Sequence, residues 1–188
     1  TTTLGANPFS TESGSRTVTV TDVAGGWINN DFVTFSGLTL STVSITGTAG
    51  QFSCAATTLA VGQAIRISGT FAGTGSITGY VDPTTYYIIA TNGTTTFTLS
   101  ATSGGSAITT TAGSPTGLSY VKTVGGLDLT GEYQISTTGG SPTTYTIQAA
   151  TAASSTETGG GSSVVAQYQI HVGAAISSPI TGWGAGPW

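Results

Sequence analysis

Chemistry in this chain has little to draw on: seven carboxylates, one histidine, one cysteine and three basic side chains among 188 residues. The acids are Glu12, Asp22, Asp31, Asp82, Asp128, Glu132 and Glu157. A glycosidase needs two carboxyl groups at a set separation across a sugar-sized cleft. Asp128 and Glu132, on either side of Gly131, are the pair that a turn could bring together, and strand and turn solvation explains them equally well. Asp31 and Asp82-Pro83 read as turn formers. A calcium site built from loop oxygens finds no further support. The expectation is no catalytic residue, no metal ligand and no cofactor.

The remaining candidates follow the same logic. His171 sits between Ile170 and Val172, which continue the inward series Val164, Ala166, Tyr168, so it falls with Gln167 and Gln169 on the polar face. It reads as a surface or interface histidine. Cys54 shares a face with Phe52 and packs as a small hydrophobe; reactivity would need a cationic or helix-terminal neighbour. One cysteine also excludes an internal disulfide framework and a cysteine-built zinc site. Trp27, Trp183 and Trp188 lie among glycines in loops. An exposed tryptophan on a β scaffold can stack on a sugar or fill a partner's pocket. These three are the candidate interface residues: Trp27 could equally plug its own loop, whereas Trp183 and Trp188 are expected to anchor on a neighbouring domain or subunit.

Composition fixes what must position them. There are 29 Gly, 40 Thr and 22 Ser, nearly half the chain, while charged residues make up 5%. Thr, Val, Ile, Tyr and Phe between glycines are strand formers cut short by turn residues. Arg16, Arg66 and Lys122 cannot cover a phosphate backbone, which argues against nucleic-acid recognition. No run of 18 apolar residues spans a membrane, and no charged-then-apolar leader is visible. The absence of methionine suggests a processed chain or an excerpt of a longer one.

Alternation then places the elements. Val18 and Val20 alternate with threonines, as do Val33 and Phe35, Ile65 and Ile67, Phe97 and Leu99, and Tyr145 and Ile147. These are half-buried strands of period two. Gly25-Gly26, Asn92-Gly93 and Asp82-Pro83 punctuate them; Asn92-Gly93-Thr94 matches a glycosylation acceptor but reads first as a hairpin turn. No stretch has a helical period. The expected fold is all-β, of antiparallel sandwich or barrel-like modules.

A repeat organises these strands. Asn30 to Gly37 matches Gly62 to Gly69, Tyr87-Ile-Ile with Thr96–Leu99 matches Tyr133-Gln-Ile with Thr144–Ile147, and Leu118–Val121 is echoed by Ala166–Ile170. The first Ser-Gly stop, at Gly37, lacks its own continuation until after Val121. One β module nested in another follows: an N-terminal arm over 1–16, an outer discontinuous module over 17–38 plus 122–172, an inserted module over 39–121, and a C-terminal connector over 173–188. Tandem repeats would leave the first copy half-built.

The outer pattern, Thr17-Val-Thr-Val-Thr-Asp22, Asp31 to Gly37, Gly126-Leu-Asp-Leu-Thr-Gly-Glu-Tyr-Gln-Ile135, Tyr145-Thr-Ile147 and Gly159-Gly-Gly161 running into Tyr168-Gln-Ile170, resembles a segment of the tail structural proteins of tailed bacteriophages, notably large tail nozzle or hub proteins. The opening Leu4-Gly-Ala-Asn-Pro-Phe9 and the closing Gly182 to Trp188 fit the same family. The inner stretch Tyr86 to Thr102, followed by Gly104-Gly105, resembles modules common in phage virion proteins, which automated naming compares to a small β domain of ubiquitin-activating enzymes. Nothing here resembles the nucleotide-binding unit that such a comparison would need. The resemblance implies a non-enzymatic virion tail component whose partners are copies of itself and other virion proteins. The alternative from the β scaffold is an adhesin or receptor-binding module for cell-surface glycans.

Overall fold

The computed structural model describes residues 1–69, 71, 77–81, 84–136 and 143–169. In chain order the strands are β1 (Thr2–Thr3), β2 (Phe9–Thr11), β3 (Thr17–Thr21), β4 (Phe32–Ser36), β5 (Thr39–Leu40), β6 (Ser44–Ile45), β7 (Gln51–Ser53) and β8 (Ala64–Ser68). They continue as β9 (Thr85–Thr91), β10 (Thr96–Ser100), β11 (Ser119–Lys122), β12 (Glu132–Gln134), β13 (Thr144–Gln148), β14 (Glu157–Gly159) and β15 (Val165–Gln169). The threonine–apolar alternation sets their faces. β3 and β4 bury Val18, Val20, Val33 and Phe35, and β10 and β13 bury Phe97, Leu99, Tyr145 and Ile147. The chain is all-β and antiparallel, sandwich- and barrel-like.

The described residues form three sheets. Strands β5 to β11 form one seven-stranded sheet in the order β5-β11-β8-β9-β10-β7-β6. The strands before and after them in the chain form two four-stranded sheets, β1-β15-β4-β12 and β13-β3-β2-β14. An isolated bridge between Ser136 and Thr146 links the region after β12 to β13. Two hydrophobic cores match this division. One runs from Leu4 to Leu38 and from Val124 to Ala166; the other gathers Leu40, Phe52, Ile65, Ile67, Tyr86, Phe97 and their neighbours up to Tyr120.

The two strand sets trace one path. Outer strands β1, β2, β3, β4, β12, β13 and β15 correspond in chain order to inner strands β5 through β11. Replacing one series by the other turns the outer neighbour order into the inner one, with β14 an addition at the outer edge. Register makes the match residue by residue. Val33 lies opposite Tyr133 and Tyr168, and Ile65 lies opposite Tyr86 and Lys122. The Ile135 amide donates to Asp31 O at 2.8 Å, as the Ile88 amide donates to Gln63 O at 2.9 Å.

This register corrects the sequence alignment. Tyr133 corresponds to Tyr86 rather than Tyr87, and Tyr168 to Lys122 rather than to Tyr120. Burial explains the first shift. Tyr86 is the inward member of the Tyr86-Tyr87 pair, and its hydroxyl bonds the backbone of Val81, five residues upstream. Tyr133 does the same to Asp128 O at 3.0 Å and Tyr120 to Pro115 O at 3.1 Å. Each tyrosine thereby ties down the loop that feeds its own strand.

The N-terminal arm expected over residues 1–16 is also corrected. β1 pairs with β15 and β2 lies between β3 and β14, while Leu4 and Phe9 are buried in the outer core. Phe9 stacks edge-on to Phe35, with centroids 4.8 Å apart. Two short strands hidden among Gly, Asn and Pro, each with one large apolar anchor, suffice to dock the segment. Lys122, placed in the outer module by its sequence, is the last residue of β11 in the inner sheet. Residues 173–188, expected to be a connector, lie outside the described residues.

Candidate functional site

The passage between the two cores is short, and all of it but Thr39 is buried from Leu38 to Leu40 and from Tyr120 to Val124. Leu38 packs in the outer core and Leu40 in the inner one, so the outgoing crossing changes core within two residues. The returning crossing runs from Tyr120 in the inner core to Val124 in the outer, through Lys122 and Thr123, both buried. The crossings lie side by side: the Lys122 amide donates to Leu38 O at 2.8 Å, and Thr39 and Leu40 pair with Val121 and Tyr120. Gly37, just before the outgoing crossing, lets the chain pass close to the segment that enters β15. Its φ is +87°, and a Cβ there would meet Ser163 O at 2.0 Å.

Lys122 stands at the centre. Its side chain is 0% exposed, and Nζ donates to Thr57 Oγ1 at 3.0 Å, to Thr58 O at 3.3 Å and to Ser163 Oγ at 3.4 Å. No carboxylate pairs with it among the described residues. Burial pulls its pKa down to about 8, with the Cys54 thiol nearby acting in the opposite sense. Burial likewise raises the Cys54 thiol, and the Lys122 ammonium partly offsets it. Hydroxyl pairs extend the contact: Thr57 with Ser163 at 3.1 Å and Thr58 with Ser162 at 2.7 Å. On another side of the junction Arg66 of β8 forms an ion pair with Asp128.

Two clefts flank this junction. One of about 490 Å³ is lined by Asn7, Thr58, Gln63, Glu157 and Ser162 with the backbone of Gly159 to Gly161. The other, about 380 Å³, lies beside Arg66, Asp128, Thr130 and Tyr133. Asp128 is committed within it: one carboxylate oxygen takes the Arg66 guanidinium and the other accepts from Thr130 N and Oγ1 at 2.9 and 2.6 Å. Glu132 is exposed at the start of β12. Among the described residues no group of three metal-ligating side chains converges.

Opposite the junction lies a second feature. In the sheet containing β4, Gln169 faces Phe32 at the start of that strand and Val165 faces Ser36 at its end. The crossing therefore leaves from the Ser36 end, where Thr3 of β1 also pairs with Val165, while Gln169 of β15 lies at the other end. The loop from Asp22 to Asp31 enters β4 at that same end. It exposes Val23 at 76% and Ile28 at 62%. Trp27 between them is half-buried, packs on the outer core and meets the Tyr145 ring edge-on at 4.9 Å. Its Nε1 is buried with no partner among the described residues.

Beneath this loop runs a buried polar chain. Asp22 accepts from the Tyr168 hydroxyl at 2.6 Å and from the Ala24 amide at 3.0 Å, and the Tyr145 and Tyr168 hydroxyls lie 3.1 Å apart. Burial, reinforced by the Asp22 carboxylate, holds Tyr168 well above the usual phenol range. Tyr145 is raised chiefly by burial.

Of the residues singled out from sequence, Cys54 is buried in the inner core beside Phe52, and Trp27 is seated on the outer core in the Asp22–Asp31 loop. His171, Trp183, Trp188 and Asp82-Pro83 lie outside the described residues. Asn92 forms the expected turn, its Oδ1 accepting from the amides of Thr94, Thr95 and Thr96. Lys122 and Asp22 were missed as structural centres, although alternation carried the signal. Lys122 has the parity of Leu118 and Tyr120, and Asp22 that of Val18 and Val20, so both belonged inward.

No family model matches this chain, and neither the curated proteins nor the solved structures contain a match to it.

Proposed function

We propose that the chain is a non-enzymatic structural component of a phage virion, a tail protein of nozzle or hub type assembled in symmetric copies. The observation that carries this reading is the polarity of the outer sheet. The Val23–Ile28 loop occupies the Phe32 end, and the crossings to the inner sheet leave from the Ser36 end. Such a unit suits attachment at one end and projection at the other. Exposed apolar side chains beside a tryptophan are the kind of surface that oligomer contacts cover. Sparse charge and densely bonded β structure suit a particle component better than a diffusing catalyst. Particle imaging with antibodies against the Thr116–Gly117 loop, beside the Ser68–Ser119 end of the inner sheet, and against the Asp22–Asp31 loop tests it. The first epitope is expected to be accessible on intact tails and the second occluded. Absence of the protein from purified particles would defeat the proposal.

The adhesin reading is favoured by one specific feature, the 490 Å³ cleft with its Asn, Gln, Glu, Ser and Thr side chains. These offer hydrogen bonds to hydroxyl-rich ligands. A glycan-array signal lost on Gln63→Ala, together with absence from virions, would move the assignment to that class.

A further inference from the structure

We infer that Lys122 is a positioning pin that makes the inner and outer sheets one rigid body, so that the orientation of the inner sheet is fixed by a buried ammonium rather than by apolar contact. Boundaries between packed units normally fall in exposed, flexible, polar linkers, and relative motion is the default. This boundary is the reverse. The returning crossing is buried throughout and the outgoing one buries Leu38 and Leu40; the two are hydrogen-bonded to each other and switch core within a few residues.

The chemistry at the pin is directional. An ammonium has three protons and no acceptor capacity. Here two of them reach the inner Thr57 and Thr58, and the third reaches the outer Ser163. A hydrophobic contact tolerates sliding because it is non-directional. A buried cation does not, since any rotation that removes one acceptor leaves a charge unsolvated in a dry site. The hydroxyl pairs Thr57–Ser163 and Thr58–Ser162 and the Arg66–Asp128 ion pair then close the junction around it. The topological match strengthens the assignment. The outer residue equivalent to Lys122 is Tyr168, which bonds Asp22 inside its own sheets. A lysine at this register position serves the copy that has an outer neighbour to reach.

This role predicts orientation, which stability alone does not report. Amide residual dipolar couplings from the strands on both sides of the junction should fit one alignment tensor in the unmodified chain. Lys122→Met keeps the length of the side chain and removes its three donors. In that variant the inner strands should lose alignment magnitude relative to the outer strands, while each set still fits its own sheet geometry. Should Lys122→Met not fold, the double variant Thr57→Val with Ser163→Ala decides alone: it retains the lysine, removes two of its acceptors, and should show the same loss in smaller degree. Two tensors of different magnitude in the unmodified chain would overturn the inference. So would a single shared tensor in whichever variant folds.

Discussion

At the residue scale, Lys122 gives the protein a pH dependence opposite to that of its tyrosines. Its pKa in the fold is about 8, against 10.5 for an exposed lysine. Between these values the unfolded chain holds a proton that the folded chain has released. Stability therefore rises with pH through that window and falls again as pH drops towards 8. The full span corresponds to about 3 kcal/mol at 1.36 kcal/mol per pH unit. Cys54 opposes it, because a thiol raised by burial ionises first in the unfolded chain. Tyr120, pushed up to about 12, does the same above pH 10. Urea denaturation of the unmodified chain and of Lys122→Met from pH 7 to 10.5 separates these contributions. The unmodified chain should gain stability relative to the variant as pH rises through this window. Curves that stay parallel would remove the buried cation from the account.

Strand by strand, the N-terminal segment is the place where composition misled and the structure instructs. Phe9 is fully buried and anchors a three-residue strand, so Phe9→Ala should cost about 3–5 kcal/mol, as for other buried phenylalanines. A detachable arm would lose almost nothing in the same denaturation experiment. Gly37 offers a second test at the other end of the outer sheet. Gly37→Ala forces a Cβ onto Ser163 O at a backbone φ of +87°, whereas Gly14→Ala, at φ +81°, meets open space. The second substitution should cost about 1 kcal/mol, from conformation alone. The first should cost several times more, because rigid backbone cannot yield. Equal costs would mean that the crossing relaxes freely.

The same elements show what could be read in advance. The long strands were legible because threonine alternates with large apolar residues over five positions, as at Thr17–Thr21 and Thr144–Gln148. β1, β5 and β6 were not, since two residues hold no period. The repeat was visible in its Ser-Gly stops, but its register was not. Tyr86 and Tyr87 are chemically identical to a reader of the sequence, and only pairing with Ile65 decides which points inward. Lys122 and Asp22 had inward parity, yet charge argued for the surface. What reversed that argument was a set of neutral hydroxyls and carbonyls brought from sequence distances of 41 to 146 residues.

For the whole molecule, the shared strand path makes a deletion informative. The outer core draws its residues from Leu4 to Leu38 and from Val124 to Ala166, and contains no residue of β5 to β11. Thr39 pairs with Val121, so the cut ends already face one another across a strand spacing. Removing residues 40 to 120 and joining Thr39 to Val121 through Asn-Gly supplies a two-residue turn between two residues that already pair. The deletion exposes Lys122, relieving its burial, and frees Ser163 and Asp128 to solvent at small expense. The shortened chain should therefore fold, unfold in one cooperative step, and show a urea m-value reduced in proportion to the surface it no longer buries. The excised segment 39–122 should fold as well, around Phe52, Ile65, Ile67, Tyr86 and Phe97, though Lys122 then loses its outer acceptor. A shortened outer chain that binds hydrophobic dye and lacks a cooperative transition would mean that the two sheets sets share stability as well as topology, and that neither is a separable unit.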